Sequence, residues 1–206
     1  ERAKENARHY IATAQEKWTS KEFFESGRAE VEETILHTID AICAGRDPAD
    51  MRILEIGCGA GRMTRALSEV FGKVDAVDVS PEMAAHARSA LEDRPNVELH
   101  VNNGADLSMF PDEHFDFAIS AIVFQHIPRR AIVENYIAEA WRVLKPDSIF
   151  KFQVQGHPIE EKEAGTWVGV GFSENQMRDI AARTGFQIRE SGGAGTQYYW
   201  LTFWKP

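Results

Sequence analysis

The feature that most constrains this chain is a glycine cluster between two segments of opposite character. Residues 51–56 form a short run rich in β-forming side chains, and residues 62–71 have helical composition. Between them stand Gly57, Gly59 and Gly61. Positions without side chains let a ligand approach the backbone, and the first turn of a helix presents amides that lack intrahelical partners. The cluster therefore predicts a strand, a ligand-binding turn and a helix in succession.

Strand and helix patterns alternate along most of the chain. Strands are predicted at residues 51–56, 74–79, 97–101, 115–123, 148–154, 186–190 and 197–204. Helices are predicted at residues 20–44, 62–71 and 81–91, between Pro128 and Lys145, and from a cap at Ser173 to Gly185. The last two strands are expected to pair as an antiparallel hairpin. This order predicts an open α/β sheet with right-handed crossovers, whose ligands lie beyond the C-terminal ends of the strands.

Composition and charge exclude several classes of protein. The chain has 206 residues, 43% of them apolar, and no apolar run approaches the ~18 residues that a membrane span needs. Its 23 basic and 32 acidic residues give a net charge of -9, which disfavours duplex nucleic acid and anionic lipid as partners. With two cysteines and no Cys/His cluster, we expect neither a disulfide framework nor a metal site. Residues 1–8 lack a signal-peptide pattern, so a cytoplasmic location is expected.

Spacing within the glycine cluster indicates which ligand the turn binds. Dinucleotide-binding turns follow the pattern G-x-G-x-x-G, whereas here the third glycine comes one residue early and Arg62 takes its place. Glu55, two residues before Gly57, favours a cationic amine over a phosphate. The turn therefore suits a zwitterionic ligand. The alternative is a tight turn in which glycine serves only the backbone geometry.

Two acids follow the second and third strands. Asp78 ends the second strand, where a carboxylate can accept both hydroxyls of a ribose. This interpretation fits NAD as well as any other adenosine cofactor, and the alternative is that Asp78 caps the helix after Ser80. After the third strand, Asp106 and its neighbouring backbone amide are placed to bind an adenine edge. A plain turn is the alternative there.

Two histidines follow the fourth and fifth strands. His126 suits a general base at neutral pH, and the alternative is that it caps the next helix or lines the pocket. His157 opens an irregular stretch, residues 157–172, that is longer than an ordinary connection. We interpret this stretch either as a lid, for which Trp167 argues, or as a solvated surface loop.

Four motifs together resemble those of the class I S-adenosylmethionine-dependent methyltransferases, especially their small-molecule, type 11/25-like branch. The motifs are Ile53 to Arg62, Val77 to Met83, Phe110 to Phe117 and Trp141 to Pro146. The resemblance implies a single-domain Rossmann-like fold with a seven-stranded sheet, mostly parallel with a C-terminal antiparallel hairpin, and helices on both faces. Residues 1–206 would be one domain, with an N-terminal helical cap at 1–46, a cofactor-binding core at 47–155, and a lid loop, last helix and hairpin at 156–206.

The same resemblance implies a cofactor and a set of roles. The cofactor would be S-adenosylmethionine, its product S-adenosylhomocysteine, and the reaction an in-line methyl transfer to a small molecule with His126 as catalytic base. The residues implied to bind the cofactor are Glu55, Gly57, Cys58, Gly59, Gly61, Asp78, Val79, Met83, Ala105, Asp106, Leu107 and Ala121. Those implied to bind the substrate are Trp18, Phe124, His157 and Trp167.

One departure from the family pattern affects the adenine contact, and two other functions stay open. Many relatives have an acid followed by alanine after strand three, whereas here Gly104 precedes Ala105 and the acid is Asp106. An NAD(P)-dependent reductase on a doubly wound sheet is the first alternative; it would need a glycine where Arg62 stands and a hydride-site pair such as Tyr-x-x-x-Lys, which we do not find. The second is a non-catalytic cofactor-binding module of the same fold.

Overall fold

The computed structural model describes residues 19–165 and 167–206. They divide into two compact units, one ending at Asn102 and the other running from Asn103 to Pro206. The N-terminal unit contains α1 (Ser20–Thr34), α2 (Ile39–Cys43), β1 (Arg52–Ile56), α3 (Arg62–Val70), β2 (Lys73–Asp78), α4 (Pro81–Ala90) and β3 (Val97–Val101). The C-terminal unit contains β4 (Phe115–Ser120), α5 (Arg130–Val143), β5 (Leu144–Val154), α6 (Glu174–Thr184), β6 (Gln187–Gly192) and β7 (Tyr199–Lys205). Among the described helices, none has both the length and the apolar character that a membrane crossing requires.

The seven strands make up a mixed sheet. In the N-terminal unit they lie in the order β3-β2-β1 and are parallel. In the C-terminal unit the order is β4-β5-β7-β6, with β4 parallel to β5, and β7 antiparallel to both of its neighbours. The predicted fold class, a mostly parallel seven-stranded sheet with an antiparallel C-terminal hairpin, is confirmed.

In the N-terminal unit, α1 packs closely against α3. Helix α1 begins at a capping box formed by Thr19 and Glu22, which satisfies amides that the first turn leaves unpaired. Gly27 faces the backbone of Arg62, and a Cβ atom at Gly27 would lie 2.0 Å from the Arg62 carbonyl oxygen. The buried Arg62 guanidinium donates to the carboxylate of Glu30 on α1. Glycine is therefore required at position 27 by the distance between the two helices.

The helix predicted at residues 20–44 is interrupted, so that prediction is wrong in its middle. α1 ends at Thr34, and a single 3-10 turn at Leu36–Thr38 separates it from α2. The hydroxyls of Thr34 and Thr38 donate to backbone carbonyls three or four residues earlier, a contact through which threonine competes with regular helical bonding. Ile35, at the break, is fully buried. Burial of the Ile35 side chain thus stabilises the break, although the apolar pattern of the sequence continues through it.

The C-terminal unit has an aromatic core. The rings of Phe150 and Phe152 on β5 stack with centroids 4.5 Å apart, and Phe203 on β7 meets Phe152 edge-on at 4.9 Å. Helix α6 begins at the predicted capping box of Ser173 and ends at Gly185, whose φ of +93° places it in the left-handed region. The predicted cap and end of this helix are confirmed.

Strand β4 ends at Ser120, three residues earlier than predicted. Ile122 has a φ of +57°, in the left-handed region that β-branched residues rarely adopt, so the extended chain cannot continue through it. Its amide donates instead to the side chain of Gln153 on β5, at 3.1 Å. A 3-10 turn at Phe124–His126 follows. The predicted strand at 115–123 is therefore shortened by a backbone turn that a polar side chain stabilises.

We expect Gly27→Ala to destabilise the protein by about 1–3 kcal/mol, because the added methyl group forces α1 away from α3. This loss should appear although alanine favours a helix over glycine by about 1 kcal/mol. Urea denaturation measures the difference. Gly192→Ala is the matched control, since a Cβ atom there meets nothing within 4 Å. A Gly27→Ala protein as stable as the wild type would contradict this account of the helix packing.

Candidate cofactor site

The glycine turn is held against the end of β2. The amides of Gly57 and Cys58 both donate to the carbonyl of Val77, at 2.8 and 3.0 Å. Gly57, Gly59 and Gly61 have φ values of +82°, +54° and +84°, which is the region that glycine reaches without steric strain. The three predicted glycines are thus required by one backbone path, and they bring the chain to the start of α3.

Asp78 joins this turn to the one that follows β2. Its Oδ2 accepts from the amide of Gly59 and its Oδ1 from the amide of Ser80, both at 2.8 Å. The side chain that caps α4 is that of Ser80, which accepts from the amide of Met83. Asp78 is therefore not the helix cap. A carboxylate oxygen has two lone pairs, so each oxygen retains capacity for a further hydroxyl donor.

Glu55 is an almost fully buried acid on β1, with 5% of its surface exposed. Burial raises the pKa of its carboxyl to about 7, against the opposing hydrogen bond from Thr64 and the positive charge of Arg62. The Thr64 hydroxyl donates to Oε2 at 2.6 Å. The group is thus poised between its neutral and charged forms near neutral pH, and a cation brought close to it would ionise it.

The other predicted cofactor residues of this unit differ in exposure. Val79 is 61% exposed and Met83 is half-buried, so both offer apolar surface beside Asp78. Cys58 is buried, and this burial raises the pKa of its thiol well above the usual range, which makes the thiol unreactive. Trp18 lies outside the described residues.

One group in the described part of the chain has the composition of a metal site. Ligand atoms of Asp75, Glu98 and His100 lie within 4.8 Å of one another. The Arg52 guanidinium donates twice to Asp75, at 2.7 and 2.9 Å, and His100 lies 2.9 Å from the same carboxylate. Burial raises the pKa of the Asp75 carboxyl, but the bonds from His100 and Arg52 outweigh it and leave the pKa below its usual value. We interpret this group as an ion-pair network that already contains its cation.

In the C-terminal unit, Asp106 organises its own turn. Its Oδ1 accepts from the amide and hydroxyl of Ser108, and its Oδ2 accepts from the Asn103 amide group. The amides of Ala105 and Asp106 donate to Oδ1 of Asn103. Leu107 is fully buried. This turn is therefore preformed, and an adenine contact by Asp106 stays a prediction.

Phe124 belongs to the core, which corrects its prediction as a substrate-binding side chain. It is fully buried, stacks on Tyr136 with centroids 5.5 Å apart, and meets Phe152 at 5.9 Å. The chain turns after Ser120 and directs this ring inwards. Ala121, the predicted cofactor residue in this turn, is half-buried.

His126 is engaged at both ring nitrogens. Its Nδ1 lies 3.1 Å from the Trp167 carbonyl and its Nε2 lies 3.1 Å from Nε2 of Gln125. The amides of Gly169 and Val170 donate to the carbonyls of Gln125 and Ile127, so the loop that carries Trp167 is fastened to the chain around His126. The Trp167 side chain itself is 67% exposed. General-base catalysis by His126 stays a prediction, as does a substrate contact by the exposed His157.

Sequence patterns did not point to Thr64, Gln125 or Gln153. The only local signal for Gln153 is that polar residues alternate with apolar ones over the buried residues 150–155. Gln125 and Thr64 stand in segments whose patterns show nothing unusual. Their partners are distant in sequence, 28 residues apart for Gln153 and Gln125, and sequence spacing carries no information on such contacts.

Part of the chain matches the model of a known family. Residues 54–152 match a family model described as a methyltransferase domain. This segment begins on β1, next to the glycine turn, and ends within β5. It therefore covers all of the elements that hold Glu55, the glycine turn and Asp78, together with the turn that contains His126.

Curated relatives are similar over part of their length. A ubiquinone biosynthesis O-methyltransferase from Xanthomonas oryzae is 29% identical over 109 residues, which is 52% of this chain and 44% of the relative. A malonyl-[acyl-carrier protein] O-methyltransferase from Bacillus cereus is 31% identical over 133 residues, 63% of this chain and 47% of the relative. The chain thus spans less than half the length of these relatives.

Solved structures show the same fold at low sequence identity. Magnesium protoporphyrin IX methyltransferase from Synechocystis, solved with bound SAM, has a TM-score of 0.68 at 14% identity, covering 96% of this chain and 90% of that one. A SAM-dependent methyltransferase from Aquifex aeolicus has a TM-score of 0.61 at 20% identity, covering 91% of this chain and 98% of that one. These similarities support the fold.

Glu55→Gln should remove a pH dependence of stability in the ligand-free protein. The wild-type carboxyl has a pKa of about 7 when folded and 4.5 ordinarily, so the folded state binds the extra proton and the free energy of unfolding falls as pH rises from 4.5 to 7. We expect the variant to be more stable than the wild type by on the order of 3 kcal/mol above pH 7.

Denaturation of both proteins at a series of pH values measures this difference. Below about pH 4.5 the carboxyl is neutral in both the folded and the unfolded wild type, so the difference should level off at a small value there. If the two stabilities stay parallel from acid to neutral pH, Glu55 does not titrate as the buried carboxyl described above.

Proposed function

Because this chain belongs to the class I S-adenosylmethionine-dependent methyltransferases, we propose that it transfers a methyl group from this cofactor to a small-molecule acceptor. The observation that carries the proposal is the contact of Asp78 with the amide of Gly59, at 2.8 Å. It brings together the Asp78 carboxylate, which we assign to the ribose, the glycine turn and the start of α3. The cofactor is S-adenosylmethionine, and its ammonium and its ribose hydroxyls match the two acids that this unit provides.

The ammonium, the ribose and the adenine of the cofactor can each be assigned a group of matching chemistry. We assign the ammonium of the methionine end to Glu55, because a nearby cation favours the charged form of a buried carboxyl. Asp78 would accept from the ribose hydroxyls through lone pairs that the two amides leave free. Val79 and Met83 would pack against the adenine. An ionised Glu55 would repel a pyrophosphate bound to the same turn.

The chemistry asks mainly for alignment. A methyl sulfonium is an activated donor, so the chain needs to hold donor and acceptor in line, and positioning of this kind supplies much of the rate enhancement. A general base is needed only for an acceptor that must lose a proton. Since both ring nitrogens of His126 already have hydrogen-bond partners, we propose that its main role is to position the neighbouring loop and not to transfer a proton.

The acceptor is proposed to present an apolar face. Trp167 and Val168 are 67% and 42% exposed at the tip of the loop fastened to His126. Adjacent exposed apolar side chains on a loop of this kind are typical of a binding surface. The named relatives act in ubiquinone biosynthesis or on malonyl-[acyl-carrier protein], and both are O-methyltransferases. An oxygen acceptor on a molecule with an apolar part agrees with both observations.

Binding of S-adenosylhomocysteine and NADH by calorimetry tests this proposal. The wild type should bind S-adenosylhomocysteine in the micromolar range and NADH too weakly to measure. Asp78→Ala should weaken the first affinity by roughly 1–3 kcal/mol, since the ribose hydroxyls lose their acceptor. Glu82→Ala removes another carboxylate from the first turn of α4 and serves as the matched control, with no change expected.

The 2′-deoxy form of S-adenosylhomocysteine separates two roles of Asp78. If Asp78 binds the ribose directly, Asp78→Ala should weaken this analogue much less than the parent ligand. An equal loss for both ligands would mean that Asp78 acts only by holding the glycine turn. Tight binding of NADH with none of S-adenosylhomocysteine would overturn the methyltransferase proposal and favour a reductase.

A further inference from the structure

A chain of polar groups runs through the interior of the C-terminal unit and ends at the exposed loop. Gln153 and Gln125 are 0% and 2% exposed. Gln153 contacts the amide of Ile122, the carbonyl of Gln197 and the side chain of Gln125. Gln125 in turn contacts Nε2 of His126. Buried amides of this kind need all of their partners, and here each step fixes the next.

The backbone fixes the orientation of Gln153. The Ile122 amide can only donate, so the Gln153 atom 3.1 Å from it must be the oxygen. The Gln197 carbonyl can only accept, so the atom 3.1 Å from it must be the nitrogen. Both constraints agree. The amide nitrogen of Gln153 therefore faces Gln125 as a donor.

The orientation of Gln153 determines the protonation of His126. Gln125 must present its oxygen to the Gln153 nitrogen, which leaves its own nitrogen to donate to Nε2 of His126. That ring nitrogen must then carry no proton. The proton lies on Nδ1 and is donated to the Trp167 carbonyl, at 3.1 Å. The five contacts thus allow only one tautomer of the neutral ring.

We propose that Gln153 and Gln125 are positioning residues that hold His126 as the Nδ1-protonated tautomer and, through that proton, fasten residues 167–172 to the turn after β4. We call residues 167–172 the Trp167 loop. The strained backbone at Ile122, with a φ of +57°, supplies the first donor of the chain. We call the chain of contacts from Gln153 through Gln125 to His126 the relay. Its role in the reaction rests on the proposed function, because the Trp167 loop is the one assigned to the acceptor. The tautomer itself does not depend on methyl transfer.

Close contacts of the loop backbone support this role. The amide of Gly169 donates to the Gln125 carbonyl at 2.6 Å, so the backbone and the side chain of Gln125 act on the same segment. A Cβ atom at Gly169 would lie 2.6 Å from the Ile127 carbonyl, and one at Gly171 would lie 1.8 Å from that of His157. The loop is therefore seated by its backbone, with the imidazole contact at its exposed end.

Nitrogen NMR of the imidazole rings tests the wild-type tautomer directly. With ¹⁵N-histidine, the chain gives signals from seven rings, and His126 is the set missing from a His126→Asn variant. At pH 8 we expect its Nδ1 to be protonated and its Nε2 to be unprotonated. This is the less common tautomer of free histidine, so a proton found on Nε2 would overturn the proposal.

A carboxylate at position 153, two contacts away from His126, should move the proton of the imidazole to the other ring nitrogen. In Gln153→Glu the carboxylate still accepts from Ile122 but cannot donate to Gln125, whose amide should rotate and turn its oxygen towards His126. The proton should then move to Nε2. Gln155→Glu is the matched control, because Gln155, directly after β5, is also buried but accepts from the amide of His157. A folded Gln153→Glu protein with an unchanged tautomer would contradict the relay, as would an equal change in the control.

Gln153→Leu is a second variant that tests the same contact if the buried carboxylate of Gln153→Glu prevents folding. Without a donor at position 153, Gln125 is no longer oriented, so the single tautomer should give way to a mixture. Hydrogen exchange of the Trp167 loop should accelerate several-fold, while that of α6 stays unchanged. A single Nδ1-protonated tautomer or unchanged loop exchange in this variant would overturn the proposal. Since neither readout involves methyl transfer, failure here is distinct from failure of the proposed function.

Discussion

Two consecutive residues of β2 hold the glycine turn in place, and the proposed cofactor site depends on them. The Val77 carbonyl accepts from two amides of the turn and the Asp78 carboxylate accepts from a third. Three neighbouring amides can converge on the end of one strand only along a path with positive φ values, which explains glycine at 57 and 59. The same convergence brings an acid, a turn and a helix start together.

Structural features that depend only on neighbouring residues could be predicted from the sequence. The strands, the glycine turn, the Ser173 cap and the antiparallel hairpin are specified by local periodicity and turn chemistry, and the structure contains them. The helix predicted at 20–44 is interrupted in the structure, and the strand predicted at 115–123 ends early. In both segments a polar side chain satisfies a backbone group at the interruption, Thr38 in the first and Gln153 in the second. An apolar pattern cannot indicate where such a contact lies.

The roles of residues whose contacts are far away in the sequence could not be predicted from the sequence alone. Phe124 follows a strand as a pocket residue would, but Tyr136 and Phe152 enclose its ring. Glu55 was correctly singled out as an acid beside the glycine turn, whereas its raised pKa follows from burial, which only the packed structure shows. The relay from Gln153 to His126 joins residues 27 positions apart and is recognisable only once donors and acceptors are assigned in space.

The proposed cofactor site requires Glu55 to face the ammonium of the cofactor, and the number of protons released on binding measures this contact directly. With a pKa of about 7 in the free protein, Glu55 is largely protonated at pH 6, and an ammonium beside it should expel that proton. Calorimetry of S-adenosylhomocysteine at pH 6, in buffers of different ionisation enthalpy, should show release of most of one proton by the wild type and of none by Glu55→Gln. Equal proton release by the two proteins, or none by the wild type, would contradict the assignment of this acid to the cofactor.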